Sequence, residues 1–296
     1  NTILLLIAEI NSNKSLNVLR NEYRSPRLGE NLFPDRMITP ISIERMNIVF
    51  REFKKIIDSF CCEMIFANAT NAMRVAKNSD EIIKSIYKEF GIEINVISGE
   101  REAELSFIGA SSVIENNENR IILDIGGGST EVIFGNLNEI FYKRSFPVGT
   151  VSLTEKYISN YPIDENEYIS LTNHVLEIFN ELPFEVKNSN QAIAIAGTPT
   201  TLTCMNLGLK QYDEQLVEKS ILSTQNLNSL LSNLKISTPK QIKNNFGNVV
   251  EGREDVIFAG NVILKTVLDL IKSDCYIVSS KGLRYGAILE YISQRM

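Results

Sequence analysis

One stretch constrains the fold and chemistry of this chain more than any other. Residues 121 to 135 read Ile-Ile-Leu-Asp-Ile-Gly-Gly-Gly-Ser-Thr-Glu-Val-Ile-Phe-Gly. Two short apolar runs on either side of a turn predict an antiparallel hairpin. A hairpin turn needs one or two glycines, whereas this one has Gly126, Gly127 and Gly128 in a row. Glycine lets the backbone approach a ligand closely and take positive φ, and successive N–H groups in such a turn make an anion-binding concavity. Ser129 and Thr130 offer hydroxyl donors to the same anion. Asp124 and Glu131 bracket the turn with negative charge, which suits a phosphate only if a hard divalent cation lies between them. Mg²⁺ is the expected ion. The predicted site is therefore a metal-assisted phosphate site on a hairpin, set against the plainer alternative of an ordinary Gly-rich turn.

The rest of the composition removes whole classes of chemistry. A formal charge of -6 argues against general nucleic-acid or membrane-surface binding, so basic groups facing a polyanion must cluster locally. The only histidine, His174, sits in a helical stretch without a motif, which sets aside Ser-His-Asp catalysis and His-based zinc sites. Cys61, Cys62, Cys204 and Cys275 show no C-x-x-C spacing. No stretch reads as a signal peptide or a membrane span, and the expected setting is a reducing cytoplasm. Hydrolysis on such a chain must use carboxylates, hydroxyls, backbone donors and metal.

Apolar patterning predicts an α/β chain. Strands are expected at residues 3–10 and 16–24, a helix at 41–60, and a short strand at 64–67. Helices follow from 72 and over 79–90, the latter capped by Gly91. A strand is expected at 94–97 and a helix from 99 to 110. After a loop at 115–119 the pattern restarts with strands at 121–124, 131–135 and 139–147. A long helical region is expected over 153–182, a strand at 192–196, and a helix from Pro199. Polar helices over 224–245, a helix over 254–271, a strand at 276–279 and a helix over 283–292 complete the chain. Both halves run from hairpin strands into alternating helices and strands. That predicts two related domains, 1–118 and 119–296, with a ligand cleft between them.

Other constellations add candidates. Thr198 suits an N-cap and Pro199 a first helical position. With Gly197, that helix start would favour an anion, or is simply a well-capped structural helix. Glu102 lies on a predicted helix over Ser106 and Gly109, small residues that would leave room for a ligand beside it. Glu100 and Glu104 point elsewhere. Arg74, just past a strand end, is either a phosphate clamp or a solvated helix arginine. Gly149, Arg253 and residues 281–284 read as weaker cleft-lining turns.

Taken in order, several segments resemble the exopolyphosphatase/guanosine pentaphosphate phosphohydrolase family of the actin-like superfamily. They are Ala69-Thr70-Asn71-Ala72-Met73-Arg74, Ile97-Ser98-Gly99-Glu100-Arg101-Glu102-Ala103, residues 124–131, Pro147-Val148-Gly149, residues 196–202 and Gly282-Leu283-Arg284-Tyr285-Gly286. The resemblance implies two ribonuclease-H-like domains around an interdomain cleft. It implies release of terminal phosphate from inorganic polyphosphate or pppGpp. It implies Glu102 as the base for water, Asp124 and Glu131 at Mg²⁺, Gly126 to Ser129 around the cleaved phosphate, and Arg74 facing the phosphates. The family opens with a strand ending in Asp-x-Gly-Ser/Thr-Asn-Ser/Thr. This sequence starts at Asn1-Thr2-Ile3, in the middle of that loop, and ends at Met296 as the short two-domain form would. A preference for short polymers is expected, and a homodimer is kept open. Two rival expectations are an ATP-dependent kinase or ATPase on the same superfold, and a non-catalytic sensor of (p)ppGpp or polyphosphate.

Overall fold

The computed structural model describes residues 2–113, 117–189 and 191–294. In chain order the strands are β1 Ile3–Ile10, β2 Leu16–Arg24, β3 Ala67–Ala69, β4 Ile94–Val96, β5 Arg120–Ile125, β6 Thr130–Gly135, β7 Ile140–Phe146, β8 Ala192–Ile195, β9 Ile221–Ser223 and β10 Cys275–Ser279. The helices are α1 Pro40–Ser59, α2 Asn71–Val75, α3 Ser79–Phe90, α4 Gly99–Ser111, α5 Thr150–Tyr157, α6 Glu165–Phe179, α7 Phe184–Lys187, α8 Gly197–Asn206, α9 Glu214–Val217, α10 Thr224–Lys235, α11 Pro239–Phe246, α12 Ile257–Leu270 and α13 Leu283–Gln294.

The second half is built on a six-stranded sheet of order β7-β6-β5-β8-β10-β9. β5, β6 and β7 form an antiparallel meander, and β8 then β10 continue parallel beside β5. This is a ribonuclease-H-like order, in line with the fold class expected, with β9 added antiparallel at the edge. Both faces are covered. Side chains alternate along a strand, so Ile121, Leu123 and Ile125 join one core with Val175, Leu202 and Val262. Ile122 and Ile133 turn to the other face, where Ala103, Phe107 and Ala110 of α4 lie.

The first half has its own core around Met46, Ile57, Ile86 and Phe90. Its strands form two separate pairs, β1-β2 antiparallel and β3-β4 parallel. These correspond to β6-β7 and β8-β10 of the second half, with no described strand bridging them as β5 does. That explains why Met64, Ile65 and Phe66, expected in a strand, are exposed and unpaired: only residues from Ala67 onward find β4. α13 packs along α4, and Tyr291 meets Phe66 at 5.2 Å between ring centroids. The loop expected to divide the halves falls partly on residues 114–116, outside the described residues.

Local chemistry fixes the ends of the elements. Thr39 caps α1 through Ser42 N at 3.2 Å, with Pro40 at its first turn. Gly91 ends α3 at φ 67°. The single helical region expected over 153–182 is two helices, because Pro162 interrupts it and Asp164 starts α6 with a capping box to Glu167. Among the described residues, no helix is long and apolar enough to cross a membrane.

Candidate active site

The site forms where α4 crosses the end of the β5–β6 hairpin. Register places Asp124 directly opposite Glu131 and Glu131 opposite Ser145. By alternation, Asp124 and Glu131 share a face with Ile122 and Ile133, the face that α4 covers. Glu102 and Ser106 on α4, one turn apart, therefore meet the two carboxylates. Glu102 and Asp124 lie on the wall of a cleft of about 2240 Å³ that Asn71, Gly127, Gly197 and Arg253 also line, and Glu131 is buried beside Asp124.

Each acid is held by specific partners. Glu102 pairs with Arg74 Nη1 at 3.1 Å, while the same nitrogen donates to the Ile97 carbonyl at 2.8 Å. Ser106 Oγ donates to Asp124 Oδ2 at 2.5 Å. Ser145 Oγ donates to Glu131 Oε1 at 2.6 Å, and the Ser129 hydroxyl also bonds Glu131. Burial and mutual repulsion set their protonation. Burial chiefly, then the Asp124 charge, push Glu102 up to about 7, against the pull of Arg74 and Thr70. Burial raises Asp124, opposed by the Ser106 bond. Burial, then the charges of Glu102 and Asp124, raise Glu131 well above the usual carboxylate range. Acids that mutually resist ionisation in a desolvated wall are a place where a cation would relieve strain.

Several expectations need correction. Residues 126–128 do not use positive φ. Gly128 serves close approach instead, because a Cβ there would lie 2.0 Å from Asn71 Nδ2. Gly126 N–H is taken by Ser129 O at 2.9 Å, and the Gly126 and Gly127 carbonyls accept from Thr150 and Val151 at the start of α5. The loop is thus latched from behind by its carbonyls, and Gly127 and Gly128 carry the N–H groups left for an anion. Thr130 Oγ1 donates to Val148 O at 2.7 Å, so its hydroxyl fastens the hairpin. Thr198 is no N-cap: α8 starts at Gly197 after Ala196 at φ 74°, and Thr198 is buried inside the first turn. Ser106 and Gly109 open no pocket of their own; the room beside Glu102 is the cleft itself. Ser106 is fully buried, and a Cβ on Gly109 would lie 2.2 Å from Gly282 O. Arg74 faces Glu102 and the Ile97 carbonyl.

Sequence reasoning passed over Ser145 and Asn71, and noted Arg253 only weakly. Ser145 was hidden by a one-residue register shift at Phe134/Gly135: a plain count from the β6–β7 turn puts Arg144, not Ser145, opposite Glu131. Arg253 reaches across the cleft, with its guanidinium over the Tyr23 ring at 5.0 Å and packed on Gly197, where a Cβ would lie 1.9 Å from Nη2.

Among the described residues, no group of three His, Cys, Asp or Glu side chains is arranged to hold a metal unaided. Mg²⁺ is commonly bound by one or two carboxylates and completed by water and phosphate oxygens; Asp124, which lines the cleft with Glu131 buried beside it, could offer such a ligand.

Comparison with known proteins converges on one group. The Ppx/GppA phosphatase family matches residues 6–295. A bifunctional 3-dehydroquinate synthase/phosphatase of Fusobacterium nucleatum is 33% identical over all of this chain, which spans 46% of that protein's length. Exopolyphosphatase 2 of Mycobacterium tuberculosis is 27% identical, over 90% of this chain and 86% of its own. An exopolyphosphatase structure from Cytophaga hutchinsonii superposes with a TM-score of 0.90 at 28% identity, covering 99% of this chain and 95% of its own. The Aquifex aeolicus Ppx/GppA family member gives 0.83 at 28%, with the same coverage.

Proposed function

The chain belongs to the Ppx/GppA phosphatase family, and from that premise we propose that it hydrolyses the terminal phosphoanhydride of inorganic polyphosphate, with pppGpp as a second candidate substrate. The observation that carries the reading is Glu102: a carboxylate lifted to about 7, held by Arg74 and lining the same cleft as Gly127 and Gly128. A base is most effective when its pKa lies near the working pH.

In this reading the terminal phosphate sits against the N–H groups of Gly127 and Gly128. Glu102 accepts the proton of a water attacking in line. Arg74 fixes the Glu102 carboxylate and offsets part of its charge. The start of α8 at Gly197, with Arg253 beside it, faces the following phosphates. Mg²⁺ held by Asp124 and Glu131 would supply charge neutralisation on the phosphoryl oxygens. A positioned base contributes about 10²–10⁴-fold, so the larger share of the barrier reduction falls to positioning and charge stabilisation.

The test is phosphate release from short polyphosphate, long polyphosphate and pppGpp in parallel, with Mg²⁺ and with EDTA. Release that stops in EDTA supports the reading, and the ranking of substrates names the preferred one. Tight binding of all three without release would refute it and favour a sensor.

A further inference from the structure

Asp124 and Glu131 each receive a hydroxyl from a serine that is part of neither the glycine turn nor the base. Ser106 on α4 is fully buried, and its Oγ donates to Asp124 Oδ2 at 2.5 Å. A helical serine commonly bonds back to its own preceding turn, and this one points outward to a strand instead. Ser145 on β7 stands in register with Glu131 and donates to its Oε1 at 2.6 Å.

The scaffold around both serines is tight. A Cβ on Gly286 of α13 would lie 1.8 Å from the Leu105 carbonyl of α4, so the two helices touch backbone to backbone beside Ser106. A Cβ on Gly99 would lie 2.6 Å from the Ser145 Cβ. The close backbone contacts hold the elements that carry both serines in place. Each serine bond occupies one carboxylate oxygen; Asp124 lines the cleft, whereas Glu131 is buried and is bonded by Ser129 as well.

We infer that Ser106 is a positioning residue that presents Asp124 to a divalent cation, with Ser145 bracing the neighbouring Glu131 in the wall. This rests on the proposed function only in taking Asp124 as the metal-facing acid. Partners that orient a metal ligand are commonly worth about 10–100-fold in metal affinity.

The experiment titrates Mn²⁺ into substrate-free protein by electron paramagnetic resonance, with Mg²⁺ competition, for wild type, Ser106→Ala, Ser106→Cys and Ser145→Ala. Each alanine variant removes a single oxygen, and thermal melts check that each folds. The expected result is Mn²⁺ binding weakened by about 10–100-fold in Ser106→Ala and by less in Ser145→Ala. Ser106→Cys falls between wild type and Ser106→Ala, because a thiol is a weak donor. Turnover lost at low Mg²⁺ should be recovered by raising Mg²⁺. Wild-type Mn²⁺ affinity in Ser106→Ala, or a fall in melting temperature alone, would overturn the inference. So would a wild-type protein that binds no Mn²⁺. A wild type that binds Mn²⁺ with the expected serine dependence, yet releases no phosphate, would leave this inference standing and sink the proposed function.

Discussion

Replacing Glu102 with glutamine should make the metal-free protein more stable at alkaline pH while removing its turnover. Glu102 is lifted from 4.5 to about 7, mainly by burial and then by Asp124. The folded state therefore binds a proton more tightly than the unfolded chain does. The stability carried by the neutral carboxyl is full below about 4.5 and is lost as pH rises through about 7. Fully ionised, the group costs the fold about 3 kcal/mol. Glutamine keeps the shape and an acceptor for Arg74 but never ionises. Glu102→Gln should thus gain about 3 kcal/mol near pH 8 and about 1 kcal/mol near pH 5, a difference that grows by about 2 kcal/mol. Urea unfolding of both proteins in EDTA at the two pH values measures it. Turnover with Mg²⁺ should fall by about 10²–10⁴-fold in the same variant. A stability difference that does not change with pH would refute the desolvated-carboxylate argument. Near-normal turnover would remove Glu102 from the role of base.

Other perturbations test neighbouring parts of the site. The acid limb of phosphate release at limiting Mg²⁺ should lie near pH 7, where Glu102 ionises, and should move lower as Mg²⁺ is raised, because a cation offsets the Asp124 repulsion. A limb that ignores Mg²⁺ in full pH–rate profiles would count against that coupling. Arg74→Met removes the main group pulling Glu102 down, so its acid limb should shift to higher pH; an unchanged limb would show that Arg74 does not tune the base. Gly149→Ala should destabilise by at least about 1–3 kcal/mol, since its Cβ would sit 2.4 Å from the Gly127 backbone. Gly128→Ala meets only the end of the Asn71 side chain, so it should fold nearly normally but bind substrate poorly, a contrast that melts and KM values would reveal.

The second half of the fold was legible because each of its signals is local. An apolar run, a Gly turn and a second run define β5 and β6, and alternation alone puts Asp124 and Glu131 on one face. What stayed hidden depends on distance in sequence. Met64, Ile65 and Phe66 carry the composition of a strand, but a strand also needs a partner edge, and β3 gains one only from Ala67 onward. Thr198 has the chemistry of an N-cap, yet α8 begins two residues earlier than such a cap would start it, after a strained Ala196. Ser106 and Gly109 look like space beside Glu102 when only their size is considered. Asp124 and Gly282, distant in the chain, fill that space in the folded molecule.

That last misreading shows what α4 does. Small residues on the helix are there for contact, since Gly109 and the facing Gly282 and Gly286 of α13 allow backbones to touch. The helix that carries Glu102 is thereby fixed against a helix from the far end of the chain, and Ser106 ties it to the strand that carries Asp124. Glu102 and Asp124 consequently share one rigid mount, despite arising in different halves of the sequence. Gly286→Ala tests this directly. Its Cβ would collide with the Leu105 carbonyl, which cannot swing aside as a side chain could. The variant should lower the melting temperature, because overpacking costs about 1–3 kcal/mol. In the fraction that remains folded, Mn²⁺ binding should weaken as well, because the shift of α4 moves Ser106 off Asp124. Loss of stability with metal affinity intact in that folded fraction would show that the helix contact serves the fold alone.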